Sequence, residues 1–384
     1  MRYTRFGRTS LDISALSFGC MRLPTLGAPS AIDEPKARKL LLDAVEAGIN
    51  YFDTAWVYHG GESEPFVGKT LGDAGLRKKV HLATKLPSWE VQGPADMDRI
   101  FAAQCEKLRT DYIDFYLIHN LNRNYWKKLV ELGMLKFLER LKSQGRILHA
   151  GFSFHDDAPV FREVLNGWDW EFCQIQYNYL DEKLQAGTEG FELAVKKGVP
   201  VVIMEPLKGG VLARPVLPGV RKIWDEAAPG RSPAEWALRW VWDKAGVLTV
   251  LSGMNEPEQL EENIRICEKA QPGCLTDAER KAYALVSEIF AAQNEVACTS
   301  CGYCLPCPAG VSIPSILRLY NELVLFGDQI HAAHSYNNLK GFGAHAGLCT
   351  DCGRCVEHCP QQLPVPESLK RAHAALEPLI AKIL

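Results

Sequence analysis

The chain has 384 residues, of which 47% are hydrophobic and 23% charged, and a formal net charge of −3. That length exceeds one ordinary domain and suits one large domain followed by a small one. A near-neutral balance excludes a strongly basic surface, so a small-molecule partner is expected, with no nucleic acid and no membrane.

Residues 1–7 carry neither the apolar stretch nor the small-residue cleavage site of a secretory signal, which places the chain in the cytoplasm, where thiols stay reduced. The longest uncharged run, 296–317, holds four cysteines and three prolines. It is therefore not read as a membrane span, where such residues would leave backbone groups unsatisfied.

In chain order, a weak apolar run at 15–18 is followed by runs at 49–52, 80–83, 113–118, 147–152, 172–175, 199–204 and 247–251. Helical patterns lie between them, for instance at 35–47, 95–108 and 129–143. Eight strand-then-helix units in about 270 residues predict an α/β fold, the (β/α)8 TIM barrel. The competing doubly wound sheet would carry G-x-G-x-x-G after its first strand, and none stands there.

A barrel does its chemistry at the carboxyl ends of its strands. Polar residues gather there: Asp53, Thr54 and Tyr58 after the second run, Thr84-Lys85 after the third, His119-Asn120 after the fourth, Ser153 after the fifth and Gln176 after the sixth. A tyrosine near pKa 10 becomes a usable acid beside a cation, and Lys85 supplies one. Trp56, Trp89, Tyr125 and Trp126 are pocket walls or ordinary packing, and His59 is expected to face solvent.

Pro272-Gly273 ends the last barrel helix, and Thr276-Asp277-x-Glu279 opens a helix expected over 277–294. The domains are therefore 1–274, the barrel, and 275–384, a helical linker and tail. Eight of the 13 cysteines stand in that tail as Cys298-x2-Cys301-x2-Cys304-x2-Cys307-Pro308 and Cys349-x2-Cys352-x2-Cys355-x3-Cys359-Pro360.

The second run has the bacterial ferredoxin spacing, in which three close thiolates wrap one cluster and the fourth, before proline, ligates the other. By that crossed pattern Cys298, Cys301, Cys304 and Cys359 hold one [4Fe-4S] cluster, while Cys349, Cys352, Cys355 and Cys307 hold a second. Thiolate zinc and disulfides are the competing readings, and the proline after each fourth cysteine decides for clusters. Segment 308–348, helical at 313–326, makes this ferredoxin-like iron-sulfur domain mainly helical. Cys20, Cys105, Cys173, Cys267 and Cys274 are scattered and read as small buried hydrophobes.

Several motifs together resemble the aldo-keto reductases: Asn50-Tyr51-Phe52-Asp53-Thr54-Ala55-x-x-Tyr58 with Ser63-Glu64, then Thr84-Lys85, Asp114-x4-His119, Gly151-Phe152-Ser153, Gln174-Ile175-Gln176-Tyr177-Asn178 and Glu262-Asn263. The likeness runs to about residue 270, and the tail is similar to that of a less common subgroup with a ferredoxin-like domain. The resemblance implies an NAD(P)H-dependent oxidoreductase moving hydride between NADPH or NADH and a carbonyl or alcohol substrate. Tyr58 would protonate the carbonyl, Lys85 lower its pKa, Asp53 hold Lys85, and His119 orient the carbonyl.

It also implies cofactor contacts. Ser153 and Gln176 would bind the nicotinamide carboxamide, and Met204 stands where many relatives place an aromatic against the nicotinamide. Gly209 lies in the same loop, while Ser252, Gly253, Met254, Glu262 and Asn263 would face the adenosine half. NADPH-selective relatives have Lys and Arg where this chain has Gly253 and Gln259. A ferredoxin-type electron partner, with or without a flavin, and a non-enzymatic redox-sensing module are the alternative functions.

Overall fold

The computed structural model describes residues 1–7, 9–27, 30–214, 217–293, 295–299, 301–327 and 329–383. It divides into two units, one of Met1–Leu207 with Ala234–Leu275 and one of Lys208–Pro233 with Thr276–Leu384.

Eight parallel strands close the first unit into a barrel: Leu16–Gly19, Tyr51–Asp53, His81–Pro87, Ile113–Leu121, Ile147–Phe154, Phe172–Gln176, Val201–Met204 and Val247–Ser252, with the last paired to the first. This is the α/β barrel that the alternating pattern predicts. A short antiparallel pair, Tyr3–Arg5 with Asp12–Ser14, precedes it. Three-residue strands carry too little periodicity to be read from sequence. The loop joining this pair sends Phe6 into the core with Ile13, Tyr51, Phe115, Phe172 and Leu248, where its ring meets those of Phe115 and Phe172 edge-on at 5.2 and 6.2 Å.

Two elements differ instructively from expectation. The third and fourth strands continue beyond their apolar runs, to Pro87 and Leu121, because Thr84, Lys85 and His119 remain in the ladder and stay buried. The loss of apolar character marks the barrel mouth, not the strand end. The helix expected over 129–143 is two helices, Arg123–Glu131 and Met134–Ser143. Gly133, at φ 83°, closes the first of them with its N–H on Val130 O at 3.0 Å, a left-handed cap that glycine takes without steric cost.

In the second unit, helix Asp277–Gln293 starts at a reciprocal cap. The Thr276 N–H donates to Glu279 Oε2 at 2.5 Å and the Glu279 N–H to Thr276 Oγ1 at 3.2 Å. Residue 294 of the expected helix lies outside the described residues. Residues 208–233 group with this unit: Trp224 packs edge-on against Tyr283 at 5.1 Å, and Arg231 pairs with the buried Glu279. Helices Ile313–Phe326, Gln329–Gly341 and Val365–Ile383 enclose a core of Ile316, Leu317, Tyr336, Leu369, Ala372 and Leu376. Among the described residues, no helix is long and apolar enough to cross a membrane.

Candidate active site and cysteine clefts

The second, third and fourth barrel strands bring Asp53, Tyr58, Lys85 and His119 to one end of the barrel. Lys85 Nζ donates to Asp53 Oδ1 at 2.7 Å and to Thr54 O at 2.8 Å, and stands 3.4 Å from the Tyr58 hydroxyl. Lys85 is wholly buried, Asp53 nearly so, and Tyr58 keeps 8% exposure at the mouth. Burial draws the Lys85 pKa down and that of Asp53 up, each opposed by the other's charge.

His119 meets the Tyr58 ring edge-on at 6.1 Å, and its ring is tilted against that of Trp89 at 5.2 Å. Its carbonyl accepts from Ser88 Oγ at 2.5 Å. Burial, then the charge of Lys85, then His155 hold its pKa well below the usual imidazole value, so it is a neutral imidazole near pH 7 and not a cation. His155, at the end of the fifth strand, is likewise pushed down to about 4, chiefly by burial. Sequence reasoning passed over His155 because a lone histidine after Ser153-Phe154 carries no spacing signal.

The aromatic residues separate. Trp89 is a wall of the site, whereas Trp126 packs near Trp170, with ring centroids 6.4 Å apart. Trp56 carries Lys107 Nζ over its ring at 3.7 Å. Tyr125 opens its helix with its N–H on Asn122 Oδ1 at 2.9 Å. His59 is not solvent-facing as expected. It is half-buried and its Nε2 accepts from the Leu23 N–H at 3.1 Å, which ties the Tyr58 loop to the loop after the first strand.

Ser153 pairs in register with Gln174, not with Gln176. Ser153 Oγ and Gln174 Oε1 are buried without a protein hydrogen-bond partner, a cost of about 1–3 kcal/mol each unless a ligand completes them. An amide such as the nicotinamide carboxamide, donor on one side and acceptor on the other, fits this pair. Gln176 is otherwise engaged: its Nε2 donates to Asp181 Oδ2 at 2.9 Å and its Oε1 lies 3.4 Å from Gln185 Nε2. The clue in the sequence was period two, since Gln174 and Gln176 share a strand face.

Met204 ends the seventh strand with its sulfur 3.6 Å from Gln174 Nε2. Ser252 Oγ accepts from Asn263 Nδ2 at 3.0 Å, and Met254 is buried beside them in sequence. A side chain at Gly253 would meet Arg22, whose guanidinium lies 3.7 Å from Glu205. Glu262 faces Arg265 at 3.7 Å. Gln259 caps its own helix by accepting from the Asn255 and Glu256 N–H groups at 2.9 and 3.3 Å. Gly209, at φ 66°, belongs to the second unit.

Two clefts in the second unit sort the eight cysteines. One is lined by Cys298, Cys301, Cys304 and Cys359. The other is lined by Cys307, Cys349, Cys352 and Cys355, with Cys304 shared between the two. Electrostatics give the same division, for Cys304 is influenced by Cys301, Cys298 and Cys359, and Cys355 by Cys349, Cys307 and Cys352. Gly302 and Gly353 hold the same place in each run, at φ 82° and 75°. A left-handed turn there, which costs other residues about 1–2 kcal/mol, lets three successive thiols face one cleft.

Four thiolates on one zinc would stand ~3.8 Å apart around a 2.3 Å bond. Among the described residues no three such groups converge closely enough for a single ion.

A barrel whose mouth joins a tyrosine to a buried lysine–aspartate pair, beside a neutral histidine, defines the class: an oxidoreductase with an NAD(P)H-type site. The chain belongs to the aldo/keto reductase family, whose model matches residues 15–272, and it carries a 4Fe-4S dicluster domain matched over 297–363. It is similar to the uncharacterized oxidoreductase YqkF of Bacillus subtilis, 28% identical over 73% of this chain and 95% of that one. The NADH-specific methylglyoxal reductase of Escherichia coli is 26% identical over 69% and 93% respectively. Among solved structures, an aldo-keto reductase from Bacillus halodurans in its holo form superposes with a TM-score of 0.62 and 31% identity, over 74% of this chain and 96% of its own.

Proposed function

We propose that this enzyme moves hydride between NAD(P)H and a small carbonyl or alcohol substrate, and that its tail holds two [4Fe-4S] clusters. The observation that carries the first half is the Lys85 ammonium between Asp53 and Tyr58, at 2.7 and 3.4 Å. A bound nicotinamide supplies the hydride.

The chain's own residues do the rest. Tyr58 gives its hydroxyl proton to the substrate oxygen, and Lys85 stabilises the tyrosinate left behind. Asp53 keeps Lys85 charged against its burial. His119, neutral, offers a ring N–H to the carbonyl oxygen and fixes its approach. Ser153 and Gln174 hold the carboxamide; Ser252, Gly253, Met254 and Asn263 would face the adenosine half. Gln174→Leu is expected to weaken NADH binding about tenfold in a fluorescence titration, the usual effect of losing one buried hydrogen bond.

Clusters bound by Cys298, Cys301, Cys304 and Cys359, and by Cys349, Cys352, Cys355 and Cys307, would supply one-electron transfer to a ferredoxin-type partner. The functional division is a reductase barrel over 1–274 and a cluster tail over 275–384, working in a reducing cytoplasm.

Anaerobic purification with iron, sulfide and flavin analysis, followed by NADH and NADPH oxidation with methylglyoxal and with aldose sugars, tests both halves. About eight irons and sulfides per chain and carbonyl-dependent oxidation are expected. Zinc in place of iron, or no oxidation with any carbonyl, would overturn the corresponding half.

A further inference from the structure

Behind Lys85 lies a second buried carboxylate, Glu64, on the helix Ser63–Asp73. Its protonation state follows from the hydrogen bonds around it. The Lys85 carbonyl can only accept, so Gln104 Nε2, 2.9 Å away, must donate to it. The same Nε2 also lies 3.2 Å from Thr84 Oγ1 and 2.7 Å from Glu64 Oε1. Thr84 Oγ1 donates its single proton to Glu64 Oε1 at 2.6 Å. Tyr116 OH donates to Gln104 Oε1 at 2.8 Å and locks that amide.

On the other side, Lys107 Nζ is 3.6 Å from Glu64 Oε2 and reaches partly to solvent. Gly68 allows this approach, since a side chain there would run into the Lys107 backbone. The groups that bond Glu64 Oε1 are thus donors, and Oε2, which makes no hydrogen bond, faces the Lys107 cation, surroundings that favour an anion. Burial raises its pKa, and Thr84, Gln104 and Lys107 oppose the rise.

We propose that Glu64 is a positioning residue for the Tyr58–Lys85 pair, which sets its proton affinity through Thr84, Gln104 and the Lys85 backbone, with Lys107 as counter-ion. The inference rests on the reading of Tyr58 as the acid. Of the two carboxylates only Asp53 touches the ammonium, but Glu64 adds a second negative charge across the buried interior, where charges are weakly screened. The other groups acting on the pair are Cys20, His119 and His155; around Glu64 they are Tyr116 and Cys105.

The sign does not depend on whether Tyr58 or Lys85 gives up the shared proton, because removing a nearby anion favours its loss from either. The experiment is an ultraviolet titration of tyrosinate in the whole protein without added nucleotide, taken as a difference against Tyr58→Phe. Glu64→Gln is expected to move the Tyr58 step down by about one pH unit, and Lys107→Gln to move it up by about half a unit. Thr84→Val, which keeps the charge, should shift it by less than about 0.3.

An unmoved step in Glu64→Gln, or shifts of equal sign in Glu64→Gln and Lys107→Gln, would overturn the proposal. If Glu64→Gln does not fold, Lys107→Gln decides alone, an upward shift supporting it and any other result sinking it. Failure of the underlying reading looks different: Tyr58→Phe would then keep its turnover with methylglyoxal.

Discussion

Replacing Tyr58 by phenylalanine is expected to lower carbonyl turnover about a thousandfold, in the range of general acid catalysis, while NADH affinity stays within about threefold. The substitution removes one oxygen from a residue whose ring is fixed against His119 at 6.1 Å. Packing changes little, and the Lys85–Asp53 pair at 2.7 Å stays intact. What is lost is the group that carries a proton to the substrate oxygen. The alkaline limb of the wild-type pH profile, set by the Tyr58–Lys85 pair, is expected to vanish with it. Steady-state rates across pH, with nucleotide binding by fluorescence, check both parts. A variant that keeps its rate would move the acid elsewhere and end the assignment.

Removing one crossing cysteine is expected to empty one cluster, and it should be the cluster of the other run. Cys359→Ala lies in the second run but lines the cleft of Cys298, Cys301 and Cys304, so anaerobically purified protein is expected to hold about four irons instead of about eight. Adding Cys301→Ala should then remove no more iron, since both residues serve one cleft. Adding Cys352→Ala should remove the rest. An uncrossed arrangement reverses these two outcomes, so iron counts on the pair of double variants decide between them. The partly buried cysteines also pack on the core of this unit with Val311 and Leu369, so each loss is expected to lower its melting temperature.

The barrel could be anticipated because eight apolar runs separated by helical patterns have few other ways to bury their apolar faces. The candidate group Asp53, Tyr58, Lys85 and His119 was visible because each member follows or ends a strand, where a barrel places its site. Other features depended on contacts distant in sequence. The carboxamide was assigned from sequence to Gln176, which shares a strand face with Gln174. Only the register with Ser153 and the engagement of Gln176 by Asp181 tell them apart. Glu64 stood in a recognisable motif, yet its surroundings come from Thr84, Gln104 and Lys107, which no local pattern connects to it. Residues 208–233 sit inside the barrel's stretch of sequence, but Trp224 and Arg231 find their partners on the helix Asp277–Gln293.

By itself, the sequence singles out the residues proposed to carry the chemistry: a tyrosine, lysine, aspartate and histidine at strand ends, and eight cysteines in two runs, the second at ferredoxin spacing. These are local properties, written in residue type, periodicity and the proline after each fourth cysteine. The tertiary structure alone decides the states and partners of those groups. Whether Lys85 is dry, whether His119 is neutral, and which thiols share a cleft all depend on charge, burial and proximity between segments far apart in the chain. Those quantities exist only once the chain has folded, because desolvation and Coulomb interactions act through space and not along the sequence.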